Sequence, residues 1–309
     1  MKNKSIIFMG TPDFAVESLK SLVENNYNII GVITSIDKQR GRGRKKTFSP
    51  VKKYALNKGI NIFQPPNLKD YNFINLIKKK NPNLFVVVAF RMLPEILIKI
   101  PDYGCINLHS SLLPDYRGAA PINWVLINGE KKTGVTTFFI NNKIDQGDII
   151  NNKKIKIENN ETAGTLHDKL MYLGSDLILE TVNDIFNENV KRTKQNISEK
   201  KNHAPKIQKK TCIINFNKTS ENIIRLINGL SPYPGARIFH NDKLVKILKA
   251  RKSNAIENNF TELFEFNNKI YLNNNLGESI EILELQFEGK RIMNSSEFLR
   301  GNKLWKIYP

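Results

Sequence analysis

Cysteine is scarce in this 309-residue chain: Cys105 and Cys212 are the only two, and neither has a nearby thiol or a partner at metal-ligand spacing. A disulfide framework needs paired thiols and a zinc site needs clustered ligands, so both are argued against. The four histidines, His109, His167, His203 and His240, are equally dispersed, and no metal is expected. Long apolar runs are missing too. The apolar run within residues 1–10 is too short for a signal peptide. No stretch approaches the roughly 18 apolar residues of a membrane span, so a cytoplasmic protein without a membrane partner is expected. A dinucleotide fingerprint is also absent, because Gly10 is the only glycine of any G-x-G-x-x-G pattern after the first strand-like run.

Acid is in short supply. Lys and Arg number 48 against 29 Asp and Glu, for a net charge of +19, which points to a polyanionic partner. Residues 1–189 hold 26 basic against 18 acidic side chains, and residues 190–309 hold 22 against 11. The excess therefore leans toward the second part, as a nucleic-acid-binding module requires.

The opening reads as βαβ. Ser5–Met9 is an apolar run ending in Gly10, Val16, Leu19, Leu22 and Val23 recur at helical spacing, and Ile29–Thr34 is a second strand. That pattern implies a parallel sheet. Residues 84–89 form an unbroken apolar run, typical of a strand buried on both faces. Between them, residues 38–53 carry eight basic side chains and no acid. Two glycines make this stretch flexible, and its place in a βα loop puts it beside the ligand edge of such a sheet. Residues 163–187 predict a long helix closing the first domain. Residues 190–207 read as a basic linker, and residues 208–309 as a second unit of a helix at 220–229 and short strands, suggesting a small barrel.

Cys105-Ile106-Asn107-Leu108-His109 alternates polar with apolar residues, which sets Asn107 and His109 on one side of a strand. One offers an amide donor, the other an imidazole suited to proton exchange. The whole segment, N-x-H-x-S-L-L-P followed by R-G-A-A-P-I, resembles the active-site segment of the methionyl-tRNA formyltransferase family. The G-T-P-D-F-A turn at Gly10, the D-x-G-D-I sequence from Asp145, and Ser231–Ala236 and Phe298–Gly301 near the end extend the likeness along nearly the whole chain.

The resemblance implies an α/β protein: a Rossmann-like, mostly parallel sheet at 1–189, then a small OB-like β-barrel at 208–309. It implies an enzyme moving a formyl group from 10-formyltetrahydrofolate to the amino group of initiator methionyl-tRNA, acting as a monomer. Asn107 and His109 would stabilise negative charge on the formyl oxygen, and Asp145 would orient His109 and help move a proton off the amine. Ser111, Leu112, Leu113 and Pro114 would lie along the folate. Arg42, flanked by Arg40, Arg44, Lys45 and Lys46, would contact the tRNA. Phe90-Arg91 departs from the family's usual A-Y-G, being one residue shorter with arginine in place of glycine. Formyltransferases acting on nucleotide sugars or glycinamide ribonucleotide, and a non-catalytic RNA-binding relative, are the alternatives.

Overall fold

Every residue of Ser5–Gly10 (β1) and Leu84–Val88 (β4) is buried, as expected for strands covered on both faces. The computed structural model describes all residues except 1–3, 41–44, 197–201, 241, 255–262, 303 and 307–309. The other strands of the first sheet are Asn28–Ile33 (β2), Ile62–Phe63 (β3), Cys105–His109 (β5), Lys132–Phe139 (β6) and Ile149–Lys156 (β7). Their spatial order is β7-β6-β5-β4-β1-β2-β3. β1 pairs in parallel with β2 and β4, β2 with β3, and β4 with β5, while β6 runs antiparallel to β5. The order reverses between β1 and β4, and ligands of open α/β sheets bind at the carboxyl ends beside such a switch.

Fully buried Phe8, Phe85 and Phe138 anchor this sheet, and burying each stabilises the fold by roughly 1.5–3 kcal/mol. The helix Asp13–Glu24 buries Phe14, Ala15, Leu19 and Leu22 on one face; of the four residues read from the sequence, Leu19 and Leu22 are buried, and Val16 and Val23 are half-exposed at the edges of that face. Ser49 caps the helix Pro50–Asn57 by accepting from the Lys52 amide at 3.1 Å, with Pro50 in the first turn, where its missing N–H costs nothing. The two glycines of the basic stretch, Gly41 and Gly43, lie outside the described residues, but on either side of them the chain is ordered. Lys38–Arg40 and Lys45–Thr47 pair as an antiparallel ribbon, with backbone of Gln39 opposite Lys46.

The chain divides into two compact units that are not two consecutive stretches. Residues 1–118, 132–155 and 167–203 form the first, and residues 119–131, 156–166 and 204–309 the second. In the second, the helix Pro121–Ile127 packs on the helix Ser220–Leu230, joined by the Asn123 side-chain amide to the Gly229 carbonyl at 2.7 Å. Thr219 caps that second helix through the Asn222 amide, one residue earlier than the sequence suggests, and Ser220 is buried. The strands Ala236–His240, Lys243–Lys252, Ser279–Phe287, Lys269–Asn273 and Phe264–Phe266 follow one another across an antiparallel sheet, with Trp305–Lys306 parallel at the end. No pairing joins the two end strands among the described residues. Ile227, Leu230, Val245, Ile247, Ile282 and Leu285 fill the core against this sheet. Among the described residues no helix is long and apolar enough to cross a membrane.

Candidate active site

β5 ends where its two polar side chains meet the loops from β6. Asn107 stands in register with Val87 of β4 and Phe138 of β6, and His109 with Thr136. Ile106 and Leu108, on the other side of the pleat, are buried. His109 is only 7% exposed, with Nε2 at 2.8 Å from the Tyr116 carbonyl oxygen. A carbonyl only accepts, so the neutral ring carries its hydrogen on Nε2 and leaves a lone pair on Nδ1. Nδ1 faces Asp145 Oδ2 at 3.9 Å, beyond a hydrogen bond but within ion-pair range once the ring is protonated. The Asn107 amide makes no hydrogen bond to the described residues and is partly exposed, free for a ligand.

The same Asp145 oxygen accepts the Gly118 amide at 2.9 Å. Asp145 lies at φ +51°, a left-handed conformation that aspartate tolerates better than most residues. Two residues on, Gly147 has no alternative: a Cβ there would stand 1.6 Å from the Phe139 carbonyl oxygen. This turn is therefore shaped by its sequence to hold one carboxylate at the end of β5.

The loop after His109 is built from the inside. Thr136 donates its hydroxyl to the Ser111 carbonyl at 2.7 Å and accepts the Leu113 amide at 3.1 Å, while Ser111 Oγ donates to the Asp115 carbonyl at 2.6 Å. Of the four residues expected along the folate, Ser111 and Leu113 are buried within the protein, and Leu112 and Pro114 stay partly accessible. The Leu113–Pro114 peptide is cis.

A cavity of about 580 Å³ opens in the first unit, beyond the end of β4. Leu68, Met92 and Leu93 give it apolar walls, and Asn67, Arg91 and Asn142 polar edges. Arg91, the departure from the family pattern, donates to the carbonyls of Pro65 and, at 2.9 Å, Pro66, bracing one wall. Asn142 comes from the loop that carries Asp145.

Arg42 and Arg44 lie outside the described residues, and of Arg40 and Lys45 only the backbone, in the basic ribbon, is described. Lys46 is exposed there. Sequence reasoning missed Arg117 and Gln195. Arg117 is 6% exposed, and its Nε and Nη2 donate to Gln195 Oε1 at 3.1 and 2.9 Å. Burial pulls its pKa down, opposed by the charges of Asp145 and Asp115. Its place in R-G-A-A-P was a signal for the arginine; nothing in the basic stretch around Gln195 singled that residue out.

The sequence pattern of the family described as "Formyl transferase" matches residues 3–182, and that of "Formyl transferase, C-terminal domain" matches residues 206–303. A methionyl-tRNA formyltransferase of Flavobacterium johnsoniae is 47% identical over 308 residues, covering 97% of each chain. One from Bacteroides fragilis is 41% identical over 321 residues, covering 98% of this chain and 96% of its own. An N-formyltransferase from Helicobacter canadensis, solved with folinic acid and dTDP-3-aminofucose, superposes with a TM-score of 0.67 at 22% identity, covering 90% of this chain and 98% of that one. The last likeness speaks for the fold, whereas the full-length identity to the first two speaks for descent: the chain belongs to the formyl transferases, within the methionyl-tRNA formyltransferase family.

Proposed function

We propose that the protein transfers the formyl group of 10-formyltetrahydrofolate to the amino group of methionine on initiator tRNA, working as a monomer in the cytoplasm. The observation that carries this reading is the approach of Asp145 to His109 at the end of β5, on the strand face that Asn107 shares, in a chain 41–47% identical to methionyl-tRNA formyltransferases over its length. The folate fits the cavity beside β4: apolar walls at Leu68, Met92 and Leu93 suit a flat ring, and Asn67 and Asn142 suit its polar edge. It supplies an activated formyl group for attack by the amine.

The chain's residues do the rest. The Asn107 amide donates to the formyl oxygen, where negative charge develops, and a donor of this kind is worth about 10²–10³ in rate. His109 Nδ1, the free lone pair, takes the proton that the attacking amine must lose, and Asp145 faces the imidazolium that results. Once protonated, the same nitrogen is a second donor toward the formyl oxygen. The proton then passes to the folate nitrogen as its bond to the formyl carbon breaks and tetrahydrofolate leaves. Leu112 and Pro114 border the folate, and Arg42 with its basic neighbours holds the acceptor end of the tRNA. The first unit then carries the chemistry, and the second adds affinity for tRNA phosphates.

The test is direct. The protein, methionyl-initiator tRNA and 10-formyltetrahydrofolate should give formylmethionine after mild ester hydrolysis. Formylation of a dTDP-amino sugar in place of the tRNA would move the chain to the sugar-modifying relatives.

A further inference from the structure

Gln195 belongs to the stretch whose basic composition suggests a solvated linker, yet residues 192–195 are fastened to the loop that carries Asp145. The Arg192 guanidinium lies 4.1 Å from the Phe139 ring centre, at the start of that loop. Thr193 and Ile149, at its end, exchange backbone hydrogen bonds of 2.8 and 2.9 Å. Between these anchors, Gln195 Nε2 donates to the carbonyls of Asp145 at 3.0 Å and Gly147 at 2.8 Å. Its Oε1 accepts both hydrogen bonds from buried Arg117. Only this orientation of the amide matches donor to acceptor on both sides, since the guanidinium only donates and the carbonyls only accept.

The turn needs such support. A left-handed aspartate is strained, and it persists where its surroundings over-determine it. Gly147 runs so close to the Phe139 carbonyl that no side chain fits there. Gln195 is the side chain that binds the backbone on both sides of this turn, and Arg117 fixes Gln195 in turn. Arg117 immediately precedes Gly118, whose amide holds the Asp145 carboxylate.

We infer that Gln195 is a positioning residue for formyl transfer: it sets the Asp145 carboxylate against His109 by clamping the 145–147 turn to Arg117. The inference rests on the proposed role of Asp145. It predicts separate effects on turnover and on stability. Gln195→Glu keeps an acceptor for Arg117, and strengthens it with charge, but turns an acceptor toward the two loop carbonyls where a donor is needed. Its kcat should fall roughly 10- to 100-fold, the scale of a misplaced catalytic group, with KM for tRNA and melting temperature near wild type. Gln195→Leu, lacking both functions, should lose at least as much kcat.

The deciding measurement is a double-mutant cycle in full-length protein, read as single-turnover formylation of methionyl-tRNA. In an Asp145→Asn background, Gln195→Glu should slow the reaction by less than about twofold, because its effect runs through Asp145. A Gln195→Glu protein that turns over like wild type, melts far below it, or multiplies the Asp145→Asn defect overturns the inference. Wild-type turnover by Asp145→Asn alone overturns instead the reading of the site on which it rests.

Discussion

The parallel sheet of the first unit and the antiparallel sheet of the second both bury dense apolar cores, but they offer different things to a partner. At the end of β5, a few polar groups are fixed by short hydrogen bonds: His109 by a carbonyl at 2.8 Å, Asp145 by an amide at 2.9 Å. The second unit has cations on its surface instead, among them exposed Lys206, Lys209 and Lys210. Fixed groups at a strand end suit a reacting centre, where misplacement is costly. Spread charge suits a phosphate backbone, where each cation acts through counterion release and none needs a fixed geometry.

Substitution in the first unit should therefore change rate. Asn107→Ala, His109→Ala and Asp145→Ala should each lower single-turnover formylation by about 10²–10³, with tRNA affinity within a few fold of wild type. Their effects should be non-additive, because the three act on one transition state. Equal losses of rate and affinity would erase the contrast between the units.

The basic ribbon sharpens the comparison, since it belongs to the first unit but carries charge like the second. Arg42→Lys keeps the charge and loses the planar fork, and should cut formylation efficiency about tenfold, the scale of a bidentate arginine interaction. Lys45→Ala should act through affinity alone, and its effect should be larger at low salt than at high salt. Similar, mild effects of both changes would mark the ribbon as a solvated surface.

In the second unit, Lys206→Gln, Lys209→Gln and Lys210→Gln together should weaken tRNA binding. The logarithmic dependence of affinity on salt should also flatten, by about 0.7–0.9 for each phosphate left without its cation. Turnover of bound substrate should not change. Substitution in the full chain is the right design, because truncation near residue 189 removes the helix Ser220–Leu230 on which Pro121–Ile127 packs.

The smallest effect expected is on stability. The Glu278 carboxylate accepts the Ser220 amide and the Asn274 side-chain amide, each at 2.7 Å, and those bonds hold its pKa below the ordinary value. Because the folded-state value is depressed, the carboxylate's contribution is full at neutral pH and fades as pH falls below about 4.5. Glu278→Gln should cost about 1 kcal/mol in urea unfolding at pH 7, and the gap should shrink as the pH falls into the acid range. A gap that stays constant with pH would assign the effect to packing.

The mostly parallel sheet was legible because Ile6–Met9 within β1 and Leu84–Val88 are unbroken apolar runs, a pattern set by burial on both faces. Asn107 and His109 were legible as a pair because strand alternation is local. The His109–Asp145 approach was not, because it joins residues 36 apart through a turn whose shape depends on Gly147 and Phe139. Gln195 was less legible still: a polar residue amid lysines carries no periodicity, and its partners lie 48 to 78 residues away. The pairing of Lys38–Arg40 with Lys45–Thr47 was missed because pairing of backbones leaves no trace in a run of charges.

The discontinuity of the second unit bears on how the chain is made. Residues 119–131 leave the ribosome long before the helix Ser220–Leu230 that receives them. At roughly 5–20 residues per second, that interval is on the order of ten seconds. During it, buried Val125 and Leu126 have no finished core to enter, and neither does the 156–166 segment. The first unit can assemble around these two excursions while they wait, but the second can close only once residues 204–309 have emerged. A nascent chain of this architecture thus carries its unfinished surface in the middle of the sequence, and a single-junction domain exchange near residue 204 would leave the second unit without two of its three pieces.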